Sequence, residues 1–148
     1  MDEAAKDLVC DWLTRASHDL RSARLLAATD DPLLDIAIYH CQQAAEKAVK
    51  AWLQGQDTPF PKTHDIDALV RRAAVSCPDF SKLEKAANVL TPYATAFRYP
   101  GGLGEPMPSR VEFDEALTHA QTVYDFVLGL LPPEARPREG LPPKRRRA

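Results

Sequence analysis

The chain has 148 residues, 45% of them apolar and 27% charged, which suits one water-soluble domain with a real core. No apolar run approaches the roughly 20 residues that a membrane span needs, and the N-terminus MDEAAKDL is acidic, unlike a signal peptide. The net charge of −2 conceals an asymmetry: residues 132–148 carry six basic and two acidic residues, leaving thirteen basic against nineteen acidic ones in the body, which is not the profile of a general phosphate-backbone binder.

The first predicted helix covers residues 2–28, with Leu8, Val9, Trp12, Leu13, Ala16, Leu20, Ala23, Leu26 and Ala27 on one broad face. Asp11, Arg15 and Asp19 form i, i+4 pairs on the other face. Residues 29–31 make a connection so short that the next helix must lie antiparallel to the first.

The organising element is the second helix, DPLLDIAIYHCQQAAEKAVKAWLQG, from Asp31 to Gly55. Asp31 is expected to cap it, Pro32 to open it and Gly55 to end it in a left-handed conformation. Leu34, Ala37, Cys41, Ala45, Ala48 and Trp52 recur at steps of three and four, with Ile38 and Val49 widening that stripe. The opposite side gathers Ile36, Tyr39, His40, Gln43, Lys47 and Lys50. A solvated face rarely carries Ile and Tyr in that company. It reads as a second packing face, a subunit interface or a polar cleft.

Prolines then force an extended QDTPFPKTHD, after which Thr63 is positioned to cap a third helix over about residues 64–75. A fourth helical region runs from about Asp79 to Tyr99, with a kink or restart at Thr91-Pro92. The Gly- and Pro-rich YPGGLGEPMP is an irregular loop. Ser109 and Glu112 form a capping box for the last helix, whose expected inward face is Val111, Ala116, Val123, Phe126, Val127 and Leu130. Pro132-Pro133 stops it.

No stretch alternates with period two. The expected fold is all-α, an up-and-down bundle of four to five helices over residues 1–131, followed by a disordered Pro/Arg-rich tail over 132–148. Cys10, Cys41 and Cys77 are odd in number and widely spaced, which favours a reducing, cytoplasmic setting without disulfides. No His or Cys pair has metal-ligand spacing, so no metal site is expected.

Four segments in order, WLTRASHDLRSARLL, HCQQAAEKAVKAWL, KTHDI and AFRYP, resemble the HEPN family, named for higher eukaryotes and prokaryotes nucleotide-binding. The likeness covers about residues 8 to 130. It implies a helical bundle that forms homodimers through its central helices. Many relatives stand beside a minimal nucleotidyltransferase, often as a toxin–antitoxin pair. Some are metal-independent ribonucleases that use an arginine followed four to six residues later by a histidine. Here Arg98 is followed by Tyr-Pro-Gly-Gly-Leu-Gly, and none of His18, His40, His64 or His119 stands at that spacing after any arginine.

Arg98 is a candidate anion contact, a fixed charge beside a Gly-rich loop, with Tyr99 next to it; its plainer role is an ion pair with the acidic body. His64, at a helix start, is either a cap and packing group or a polar group lining the same cleft as a general acid or base. Tyr39, Gln43 and Lys47, at steps of four, would meet their own copies near a two-fold axis, or form a polar rim there. The terminal KRRR is a solvated end or a contact for nucleic acid.

Three functions follow from these readings. The first is a nucleotide-binding or non-catalytic dimeric partner of a minimal nucleotidyltransferase. It has no resident cofactor, and ATP is the candidate ligand at Tyr39, Gln43, Lys47, His64, Arg98 and Tyr99. The second is a metal-independent ribonuclease acting on RNA with an atypical Arg98/His64 site in a dimer cleft. The third is a purely structural dimerisation module.

Overall fold

The computed structural model describes residues 1–100 and 107–138. It holds five α-helices, α1 Glu3–Ala27, α2 Leu34–Gly55, α3 Ile66–Ser76, α4 Glu84–Leu90 and α5 Arg110–Leu130. Tight 3₁₀ turns cover Pro78–Leu83, Thr91–Ala94 and Pro133–Ala135. The described residues contain no strand, so the all-α expectation holds.

The two long helices pack antiparallel along matching seams. On α1 the buried residues Val9, Leu13, Ala16, Leu20, Ala23 and Ala27 alternate steps of four and three; on α2 so do Leu34, Ile38, Cys41, Ala45, Ala48 and Trp52. Alanines at Ala16, Ala23, Ala44, Ala45 and Ala48, all fully buried, let the backbones approach. Trp52 then packs tilted against Phe80, centroids 4.7 Å apart, and Phe80 meets Phe126 edge-on at 5.0 Å. This aromatic line ties α2 to the 78–83 turn and to α5.

Helix ends depart from expectation where backbone bonds outcompete side-chain caps. Asp31 and Pro32 do not open α2: the Leu33 N–H donates to the Leu26 carbonyl at 3.2 Å, folding the connector onto α1, and Leu33 occupies the cap position without a side-chain bond. Nor is Gly55 left-handed. It is the last helical residue, and Asp57 takes the positive φ of 50° instead. Gly55 serves contact: a Cβ there would meet Val9 Cγ2 at 3.1 Å, so the glycine admits the start of α1. Asp65, not Thr63, caps α3, accepting from Ala68 N–H at 3.2 Å, while Thr63 Oγ1 accepts from Asp65 N–H. Thr91 does not cap; its hydroxyl donates to the Ala87 carbonyl at 2.7 Å.

The Ser109–Glu112 capping box is complete in both directions. Val111 and Leu130, expected inward, are 77% and 40% exposed because they overhang the core at the two ends of α5; Phe113 and Ala120 are buried instead. Of the expected loop, residues 101–106 lie outside the described residues. Of the expected tail, 132–138 forms a short turn that buries Ala135 in the core, and 139–148 lies outside the described residues. No helix of the described chain is long and apolar enough to cross a membrane.

Candidate functional site

Helix α2 is the central rod, and most of its circumference is covered. Around the wheel, the sector from Tyr39 through Gln43 and Ile36 to Lys47 and His40 stays open. Ile36 is 44% exposed, and Tyr39, His40, Gln43 and Lys47 are half-buried.

One edge of this strip closes inside the molecule. Gln42, Glu46 and Lys50 are buried in a row at steps of four. His64 Nδ1 donates to Glu46 Oε1 at 2.8 Å, and Lys50 Nζ donates to Glu46 Oε2 at 3.3 Å. Gln42 Nε2 donates both to Glu46 and to the His64 carbonyl, and Gln43 Nε2 donates to Gln42 Oε1 at 2.7 Å. Lys50 also lies 5.9 Å from the ring centre of Phe60, which meets Trp12 edge-on. This half of the far face is therefore a packing face for the 56–65 connector. The imidazole of His64 stays 69% exposed.

The other edge is closed by a carboxylate from α1. Asp19, 7% exposed, accepts from His40 Nδ1 at 2.8 Å and from Lys47 Nζ at 2.6 Å. Sequence reasoning placed Asp19 on the solvent side beside Arg15, and the structure corrects that. It lies between Ala16 and Ala23 at core spacing, and its carboxylate is satisfied across the helix pair.

At the N-terminal end of the strip sits Arg98. Its guanidinium lies over the Tyr39 ring at 4.1 Å and 5.5 Å from the Tyr99 ring centre, with Nη1 donating to the Ala94 carbonyl. Phe97, at φ 65°, sets the turn that aims it, and its ring stacks on Tyr93. A bulky residue there costs about 1–3 kcal/mol of backbone strain. Burial, then Glu112 and Glu115, push the Tyr93 hydroxyl upward. Among the described residues Arg98 makes no ion pair with a carboxylate.

Tyr39, Tyr99 and Arg98 thus come together, with Gln43 and Lys47 along the same strip. His64 stands apart from Arg98, anchored at Glu46, seven residues or about 10 Å along the axis from Tyr39. Asp19, His40, Gln42 and Glu46 were not anticipated as site groups. The signal for Asp19, Gln42 and Glu46 was a polar residue among the buried positions of two apolar helices, whereas His40 lay on the mixed face opposite the core stripe. Among the described residues no three His, Cys, Asp or Glu gather as a metal site. A sizeable open groove, about 570 Å³, lies elsewhere, lined by Ser81, Lys82, Glu84, Lys85, Asn88 and Val89.

Residues 9–130 match the HEPN domain family model. The chain belongs to the HEPN family. Its fold is similar to that of TT1696 from Thermus thermophilus, at 32% identity, TM-score 0.71, and coverage of 84% of this chain and 99% of that one. It is also similar to ST0689, an archaeal HEPN homologue, at 29% identity, TM-score 0.67, and coverage of 82% and 96%. No curated protein matches at significant similarity. The HEPN match takes in α2 entirely, together with Asp19, His64, Arg98 and Tyr99.

Proposed function

We propose that this HEPN protein is a dimeric, nucleotide-binding partner of a minimal nucleotidyltransferase, with the open strip of α2 as its nucleotide cleft. The observation that carries the reading is Arg98: a guanidinium 4.1 Å over the centre of the Tyr39 ring, without a carboxylate partner among the described residues, on the strip that also carries Gln43 and Lys47. A planar fork in that setting suits a phosphate, and Tyr99, 67% exposed, offers a ring face to a base. Two copies related by a two-fold axis would cover Ile36 and enclose the strip. The test is co-expression with a minimal nucleotidyltransferase, followed by ATP titration of the purified chain. A stable complex and saturable ATP binding, weakened at least about tenfold by Arg98→Ala, support it. Neither complex nor binding removes it.

A second reading, a metal-independent ribonuclease, draws on the His64–Glu46 pair. A buried carboxylate orients the ring and leaves Nε2 toward solvent, the arrangement of a general acid–base. It requires RNA cleavage in EDTA that both His64→Ala and Arg98→Ala abolish.

A further inference from the structure

The open strip carries its own histidine, and it is not His64. His40 and Lys47 lie seven residues apart on one line of α2, and both reach the same buried carboxylate, Asp19 of α1. Glu46, the anchor of His64, lies about 120° away around the helix, on the edge closed by the 56–65 connector.

We propose that His40, oriented by Asp19, is the proton-carrying contact of an anion site that takes the phosphate chain of a nucleotide, so that binding is coupled to uptake of a proton. The inference rests on the nucleotide reading above and names the group that meets the phosphates.

The geometry fixes the tautomer. A carboxylate only accepts, so the ring nitrogen facing Asp19, Nδ1, carries a hydrogen. Nε2 is then a bare lone pair on the neutral ring and an N–H on the charged one. The lone pair repels a phosphate oxygen, whereas the N–H donates to it, so the anion selects the protonated ring. Asp19 and Lys47 cancel each other, and Arg98 over Tyr39 is the remaining cation of the strip. His40 meets Asp19 from α1 and the Tyr39 ring at 6.0 Å; Lys47 shares the Asp19 carboxylate, and Arg98, from the turn after Thr91–Ala94, lies over Tyr39. Arg24 of α1 acts on the neighbouring Cys41. A protonated His40 makes the strip a two-cation surface around a tyrosine, which suits a diphosphate or triphosphate.

The experiment is calorimetric titration of the full chain with ATP near pH 7.5, in two buffers of different ionisation enthalpy, repeated at about pH 6 and pH 8. Wild type is expected to take up protons on binding and to bind about tenfold more tightly at the lower pH. His40→Gln should lose both effects, and His64→Gln should keep both. Loss of proton uptake in His64→Gln, or its retention in His40→Gln, overturns the proposal. ATP binding by wild type without proton uptake overturns it and leaves the nucleotide reading standing; no ATP binding at all removes both. Should His40→Gln fail to fold, the wild-type ring is read directly. Long-range ¹H–¹⁵N spectra should show His40 Nε2 becoming protonated when ATP is added near pH 7.5. An unchanged ring overturns the proposal.

Discussion

Glu46 and His64 form the joint between α2 and the chain that follows it. The carboxylate, 4% exposed, accepts at 2.8 Å from a ring that is otherwise in water. The same carboxylate holds Lys50, and Gln42 fastens the His64 carbonyl, so one residue is gripped by both its side chain and its backbone. The connector 56–65 contains two prolines and no helix of its own, and these bonds are what seat it over α2.

Glu46→Ala strands Lys50 at 8% exposure without its carboxylate. Removing one partner of a buried pair costs about 3–5 kcal/mol. Urea unfolding is expected to show a loss of that size, and the Glu46→Ala, Lys50→Met double variant should lose less than the two single losses added together. Additive losses would mean that the two residues do not act as a pair.

Trp52→Ala removes the α2 end of the aromatic line that runs through Phe80 to Phe126. A buried aromatic cut to alanine costs about 3–5 kcal/mol, a large share of a small domain's stability. Thermal unfolding should fall by more than for Trp12→Ala, whose ring is only partly buried against Phe60.

Cys41 is fully buried on the α1–α2 seam, and burial raises its thiol from the ordinary 9.0 to about 12, with nearby Arg24 opposing and Asp19 reinforcing that shift. The native chain should therefore react with a thiol reagent at Cys10 and Cys77, and at Cys41 only after denaturation. The sign for stability follows from linkage. The folded state holds the thiol proton more tightly than the unfolded state. Its contribution is complete below pH 9 and is lost as pH rises from 9 toward about 12. Cys41→Ala should flatten the alkaline limb of a stability–pH curve, and an unchanged limb would contradict this assignment.

Tyr39→Leu keeps an apolar body on α2 and removes the face under Arg98. ATP affinity is expected to fall severalfold while the melting temperature moves little, because Tyr39 is half-buried. Equal affinity would show that the stack does not position the guanidinium.

The helices were legible because their apolar spacing is nearly uninterrupted, from Val9 to Ala27 and from Leu34 to Trp52. Helix ends were less so. Asp31 and Gly55 carry the right residue types, but the Leu33 bond to Leu26 and the contact of Gly55 with Val9 are tertiary facts. The site divided in the same way. Tyr39, Gln43 and Lys47 were visible on a helix face out of keeping with solvent, and Arg98 as a fixed charge beside a Gly-rich loop. Asp19 and Glu46 were not, because a carboxylate at core spacing has meaning only once its donors are placed. For Asp19 those are His40 and Lys47, and for Glu46 they are Lys50 and the His64 ring.

The most direct measurement is an ATP titration of isotope-labelled chain, following the Gln43 side-chain amide and the Arg98 Nε–H. If the open strip of α2 is where this HEPN protein meets its nucleotide, those resonances and the backbone from Ile36 to Lys47 should shift together and saturate. Shifts confined to the groove between Ser81 and Val89, or no shifts at all, would contradict the account.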